Sequence, residues 1–235
     1  MCGRYVSPAQ AEIERAWQIG RQNSNPFTRD FNVAPTTQVP LLRRDPESGD
    51  LELTAARWGL IPVWWKEAKL PFHTINARSE EAASKPMWRH PMRSGRCLMP
   101  AEGWYEWQKI ERVDPESGEV KGSKQPHFIY RKGSQPFCIA GLMSVWTPPG
   151  KTDSLLSCSI LTRAASPSVA AVHDRMPVVL PDDVHATWLD PGVTDAAKVT
   201  TLIRECAVDD FNHHPVSARV NSPKNKDAEL VRPVS

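Results

Sequence analysis

Twenty-two prolines in a chain of 235 residues bound what it can fold into more tightly than any other feature. Each proline fixes φ, removes a backbone donor and ends or kinks a helix, so long helices and long central strands are both interrupted. The expectation is many short elements joined by turns. With about 40% apolar residues the chain is long enough for one sizeable core, and no linker divides it. The reading is one α+β domain over residues 1–235, a mostly antiparallel or mixed β-sheet core with several short surrounding helices.

Local patterns fill in that frame. Ser7 as N-cap, Pro8 at the first helical position and Gln10 as the capping-box partner predict a first helix. Its buried face would be Ile13, Ala16, Trp17 and Gly20. Further helices are expected near Ser79–Ser84, Asp182–Leu189 and Asp195–Cys206. Strand-like runs span Gln38–Arg43, Leu51–Leu60, Arg96–Met99, Trp104–Ile110, His127–Arg131, Phe137–Ser144, Ser157–Thr162 and Pro177–Leu180. The segment DPESG occurs twice, at Asp45–Gly49 and Asp114–Gly118. Asp-Pro opens a turn and Gly supplies positive φ, so both copies read as hairpin turns rather than as a duplicated module.

Several function classes drop out. A net charge of +2 announces no general affinity for nucleic acid, and no apolar run approaches the ~18–20 residues that cross a bilayer. MCGRYVSPAQ lacks the apolar core of a signal peptide. Five cysteines, Cys2, Cys97, Cys138, Cys158 and Cys206, are odd in number and contain no C-x-x-C. Reduced thiols in a cytosolic monomer are expected. Phosphate-loop, dinucleotide, nucleophile-elbow and zinc-protease motifs are absent, so no cofactor and no metal are expected.

Charge is nevertheless uneven. Arg57 to Arg96 holds eight Lys/Arg against three Asp/Glu, while Asp182 to Asp210 holds seven acidic residues against two basic. The basic stretch is interleaved with Trp58, Trp64, Trp65 and Trp88, a composition that suits a single-stranded nucleic-acid groove and equally a solvated face over an aromatic core.

Four blocks carry candidate chemistry. In M-C-G-R-Y the small Cys2 permits removal of Met1, which would leave a 1,2-aminothiol. Its amine titrates near ~7.7–8.0 and can condense with an aldehyde, after which the thiol can close a five-membered ring. The same residue could serve as the nucleophile of an N-terminal-nucleophile peptidase, or be an inert terminus. In A-E-G-W-Y-E-W, Ala101–Trp107, a strand would set Trp104 and Glu106 on one face with Tyr105 and Trp107 on the other. Glu106 would then be desolvated and its pKa raised, as a general acid requires. In H-D-R-M-P-V-V-L, His173 breaks an apolar run and could shuttle protons or be tied to a turn. In T-I-N-A-R-S-E-E, Asn76 and Arg78 stand where a strand feeds a helix, suited to orient a substrate oxygen and hold a phosphate, or simply to cap.

M-C-G-R-Y, N-V-A-P, W-G-L-I-P-x-W, I-N-A-R-S-E, P-A-E-G-W-Y-E-W, H-D-R-M-P and H-P-V-S together resemble the SOS response-associated peptidase (SRAP) family, from Met1 to about Pro233. The resemblance implies a partner, single-stranded DNA containing abasic sites, and a covalent DNA–protein crosslink. It assigns Cys2 as the crosslinking residue, Glu106 as acid/base, His173 as its partner in proton transfer and Asn76 as the positioning group. It implies Arg4, Arg78 and Arg175 on phosphates, Thr162 near the abasic phosphate, and Pro35 with Trp64 and Trp65 against the neighbouring bases. It further implies residence with DNA in the cytoplasm and nucleoid. Two other readings stay open: a cysteine peptidase acting through Cys2, and a non-catalytic single-strand binder.

Overall fold

The computed structural model describes residues 2–20, 26–67, 74–113, 120–133 and 135–234, and among these described residues the proline-punctuated chain forms thirteen strands and six short α-helices. In order these are β1 (Tyr5–Ser7), α1 (Gln10–Trp17), β2 (Asp30–Val33), β3 (Gln38–Arg44), β4 (Leu51–Trp58), β5 (Asn76–Arg78), α2 (Ser79–Ala82) and α3 (Arg89–Ser94). Then come β6 (Arg96–Ala101), β7 (Gly103–Val113), β8 (Val120–Arg131), β9 (Phe137–Trp146), β10 (Leu155–Ala164) and α4 (Pro167–Ala170). The chain finishes with β11 (Arg175–Pro177), β12 (Val179–Leu180), α5 (Asp182–Leu189), α6 (Ala196–Cys206), β13 (Phe211–Pro215) and two 3-10 turns, Ala218–Asn221 and Ala228–Val231.

The strands form two sheets. One has five strands in the order β13-β8-β7-β1-β2. The other runs β11-β10-β4-β3-β6-β9-β12, with β5 also on β10, and a β10–β9 pairing closes the ring β10-β4-β3-β6-β9. Most pairs are antiparallel; β10 runs parallel to β4 and to β5.

Period-two alternation sorts the apolar side chains into layers. Phe137 and Ile139 of β9, with Cys97 and Met99 of β6 and Cys158 and Ile160 of β10, face a core shared with Tyr5, Trp104, Ile129 and Phe211 of the five-stranded sheet. Cys138, Ala140 and Leu142 point the other way, onto Ile13 of α1, Trp188 of α5 and Ile203 of α6. Burial on both faces explains why these strands read as unbroken apolar runs. On its outer side the five-stranded sheet sets Val6, Tyr105 and Phe128 against Val216, Val220 and Leu230 of the C-terminal segment.

The Asp45–Gly49 turn joins β3 to β4 as expected: Asp45 Oδ1 accepts from the Glu47 and Ser48 amides at 2.9 and 2.7 Å, and Gly49 sits at φ 77°. The second DPESG segment lies outside the described residues. Helix α1 departs from its expected start. Ser7 belongs to β1, Ala9 is the N-cap, and Glu12 rather than Gln10 reaches back to the Ala9 amide at 2.9 Å. Ala16 is exposed, and α1 ends at Trp17 because Gln18 turns left-handed at φ 52°, so the buried face is Gln10 and Ile13. Pairing with β2 and β7 outweighs the local capping signal at Ser7.

Candidate active site

A contact between two sheets begins the site. Cys2 enters β1, which lies between β2 and β7 in the five-stranded sheet, while Asn76 opens β5 beside Ile160 of β10 in the other. Asn76 Nδ2 donates to the Cys2 carbonyl at 2.8 Å. The other end of that amide, Oδ1, is buried and has no hydrogen-bond partner among the described residues. Cys2 is fully buried, and its Sγ has only a weak contact, 4.0 Å to the Arg4 carbonyl. Burial pushes the Cys2 thiol far above its ordinary range, and the charge of Glu106 adds to the shift.

Glu106 is delivered by β7 on the face of Trp104, toward the shared core, with 2% of its surface exposed. Tyr105 and Trp107 turn to the opposite face, where they hydrogen-bond the Phe31 carbonyl and Asn221 Oδ1, each at 2.8 Å. Gly103 is what lets β7 lie so close to β8: a Cβ there would stand 2.4 Å from the Phe128 ring and 2.5 Å from the Ile129 carbonyl. Burial, with a smaller contribution from Asp174, outweighs the opposing charge of the amino terminus and lifts the Glu106 pKa to about 7. The carboxyl is therefore poised between its two forms at neutral pH.

His173 follows α4 and brings Nε2 to 3.8 Å from Glu106 Oε2. Its Nδ1 accepts from the Arg175 amide at 3.0 Å and lies 2.9 Å from Asp174 Oδ1. One ring nitrogen cannot accept from the amide and donate to the carboxylate at once. The amide belongs to the first residue of β11, whereas the Asp174 side chain is 86% exposed, so the backbone contact sets the neutral tautomer. That places the imidazole proton on Nε2, toward Glu106. Burial lowers the His173 pKa and favours this neutral form.

Gln108, two residues along β7 from Glu106, ties the segment before His173 in place. Its Nε2 donates to the Ala171 carbonyl at 3.0 Å, and its Oε1 lies 3.1 Å from His127 Nε2. His127 Nδ1 in turn meets His213 Nδ1 at 3.2 Å. Burial favours the neutral His127 ring, which then donates from Nε2 to Gln108 and accepts at Nδ1 from His213. Glu106, Gln108 and His173 line a cleft of about 560 Å³.

Beside this group, Thr162 of β10 stands in register with Arg78 of β5. Thr162 is buried; Arg78 is exposed, 3.7 Å from Glu81. Arg175 grips both oxygens of Glu80, at 2.7 and 2.9 Å, and donates to the Thr162 carbonyl at 2.8 Å. These bonds hold the Glu80 pKa below the usual carboxylate range. Arg4 is turned toward the C-terminal segment, donating to Asn32 Oδ1 at 3.0 Å and to the Val220 and Asn221 carbonyls at 3.2 and 3.4 Å.

Pro35 and the Trp64–Trp65 pair lie on loops outside the lining of the cleft. Thr36, next to Pro35, holds φ 71°, a strained conformation for a β-branched residue, and its amide is fastened to the Trp58 carbonyl at 2.8 Å. Trp64 is 52% exposed and meets Trp65 edge-on with ring centres 5.8 Å apart. Trp58 is wholly buried against Tyr5 and offers no ring for stacking, while Trp88 is partly buried against the helix-side core.

A family model described as SOS response associated peptidase (SRAP) matches residues 1–223. The chain belongs to the SRAP family. It is 38% identical over 233 residues to the abasic site processing protein YoqW of Bacillus subtilis (strain 168), covering 98% of this chain and 99% of that one. Against the abasic site processing protein YedK of Escherichia coli (strain K12) it is 35% identical over 248 residues, covering 100% of both. Against the abasic site processing protein HMCES of Gallus gallus it is 31% identical over 274 residues, covering 100% of this chain and 78% of that one. A phage-related protein from Bordetella bronchiseptica has the same fold, with a TM-score of 0.68, 30% identity and coverage of 92% and 94%. A protein from Bacteroides thetaiotaomicron shares the fold with a TM-score of 0.76 at 23% identity, over 100% of both chains.

Within this SRAP chain the sequence pattern did not single out Glu80 or Gln108. Gln108 was within reach of it, since a strand through Glu106 must turn residue 108 to the same face. Glu80 was not, because its partner Arg175 is ninety-five positions away. No group of three or more His, Cys, Asp or Glu side chains suited to a metal occurs among the described residues. No helix there is long and apolar enough to cross a membrane.

Proposed function

We propose that this protein processes abasic sites in single-stranded DNA by linking itself to them through Cys2 once Met1 has been removed. The observation that carries the reading is a buried carboxyl, Glu106, with its pKa raised to about 7, acting on the Cys2 thiol and 3.8 Å from His173 Nε2. The names of the relatives support the same substrate.

An abasic sugar is a closed hemiacetal in equilibrium with an aldehyde. Glu106 takes the hydroxyl proton from C1 and returns one to the ring oxygen, opening the sugar. The Cys2 amine then adds to the aldehyde carbon; water leaves and an imine forms. Sγ adds to the imine carbon and the thiol proton passes to nitrogen, closing a thiazolidine with one water lost overall. Because the thiol is held neutral, the amine reacts first and Glu106 or His173 relays the thiol proton. Asn76, bonded to the Cys2 carbonyl, fixes the residue while both of its nucleophiles react. Arg4, Arg78 and Arg175 with Thr162 are assigned to phosphates, and Pro35, Trp64 and Trp65 to bases beside the lesion. Without the thiol, the amine still forms an imine, from which β-elimination can cut the strand.

The peptidase reading requires a thiolate, and nothing in the surroundings of Cys2 outweighs the burial that disfavours one. The test is a single-stranded oligonucleotide bearing one abasic site, incubated with protein lacking Met1 and run on a denaturing gel. An adduct that survives heat and detergent is expected; none from correctly processed protein contradicts the proposal.

A further inference from the structure

The cleft lined by Glu106 and His173 has a basic rim to which neither the motifs nor the reaction assigns a role. Lys109 and Lys124 both line it, and the β7–β8 register sets them directly opposite each other. Like charges in direct cross-strand register repel. Both are exposed, and neither makes an ion pair among the described residues. Lys109 is close enough for its charge to act on His173.

The position of the rim follows from the topology. β1 pairs with β7 only at Gly103 and Trp104. Beyond that point β7 borders no other named strand on its β1 side, and the cleft opens along this free edge. The alternation that turns Glu106 and Gln108 toward the core side turns Lys109 and its partner Lys124 to the other side of the ribbon. A strand whose reacting sugar reaches Glu106 and His173 would leave along the cleft that Lys109 and Lys124 also line.

We infer that Lys109 and Lys124 form a phosphate clamp for the DNA strand on one side of the abasic nucleotide. The inference rests on the abasic-site reading and adds two contacts to it. Lysine suits the task, since an ammonium on a flexible stem follows a backbone without reading bases. The clamp adds affinity without sequence preference.

Equilibrium binding of an undamaged single-stranded oligonucleotide, followed by fluorescence anisotropy across a range of salt, tests the clamp. Each phosphate neutralised on a single strand contributes about 0.7 to the slope of log K against log salt. Lys109→Gln and Lys124→Gln should each reduce that slope by about 0.7 and the double variant by about 1.4. The double Lys→Arg variant should keep the wild-type slope. Lys198→Gln, on α6 and outside the proposed DNA path, should leave it unchanged. An unaltered slope in the double Gln variant, with wild type binding normally, overturns the clamp and leaves the abasic-site reading standing. Failure of wild-type protein to bind any single strand would remove both.

Discussion

The Asn76 side chain donates to the Cys2 carbonyl at 2.8 Å, joining β5, a parallel neighbour of β10, to the segment that enters β1 of the five-stranded sheet. This bond lets a residue at the beginning of the chain keep a defined place, although termini ordinarily fray. Asn76→Ala removes the donor and leaves the carbonyl without it, so a loss of about 1 kcal/mol in stability is expected. The rate of adduct formation should fall by more than that stability change implies, because Cys2 is no longer oriented. Denaturant melts and single-turnover gels on the same samples give both quantities. Equal, small effects on the two would make the bond structural only.

Glu106→Gln separates chemistry from binding. Loss of a positioned acid/base group costs roughly 10²–10⁴-fold in rate, whereas undamaged single strands should bind nearly as before. A parallel fall in rate and affinity would assign Glu106 a structural part instead.

The same substitution has a pH signature. A carboxyl whose folded pKa is about 7, against 4.5 for the free group, favours the protonated folded state. Its contribution is full below about pH 4.5 and is lost as pH rises through 7, a difference on the order of 3 kcal/mol. His173 works oppositely, since its lowered pKa removes stability as pH falls below its unfolded value. Urea melts at pH 5 and pH 8 should therefore show Glu106→Gln gaining relative to wild type at the higher pH. A difference that does not change with pH would mean that Glu106 is ionised in the folded protein throughout.

Gln108→Ala cuts the tie between β7 and the Ala171 carbonyl. The expected result is slower adduct formation with little change in single-strand affinity, because His173 loses its fixed approach to Glu106. Hydrogen exchange should increase in the segment around residues 170–174. Unchanged exchange there would show that β11 alone holds His173.

Trp64→Ala should weaken single-strand binding by about 1–3 kcal/mol if a base stacks on the ring. Stability should barely move, since the side chain is half exposed. Binding that is indifferent to the substitution would remove Trp64 from the DNA path.

The fold was legible where the local signal was strong. The strand through Phe137–Leu142, buried on both faces, and the Asp45–Gly49 turn follow directly from the residues that form them. The strand that feeds a helix at Asn76–Arg78 was legible as well. The three-residue strand β1 was not, because a run so short carries no period and exists only through pairing with distant partners. The same limit applied to the site. The raised pKa of Glu106 could be foreseen from Trp104 beside it, two positions along one strand face. The clamp of Glu80 on Arg175 and the tie from Gln108 to Ala171 could not, since both are made between segments brought together only by the sheets.

The most direct measurement compares wild type, Cys2→Ser and a form that retains Met1, each mixed with abasic single-stranded DNA with and without cyanoborohydride, then analysed by intact mass. The account predicts a stable wild-type adduct weighing protein plus DNA less one water, unaltered by the reductant. It predicts a Cys2→Ser adduct that persists only after reduction, and no adduct that survives without reduction when Met1 is retained. A wild-type adduct that gains two hydrogens on reduction, or one that forms equally well with Met1 in place, would contradict the thiazolidine and with it the assigned role of Cys2.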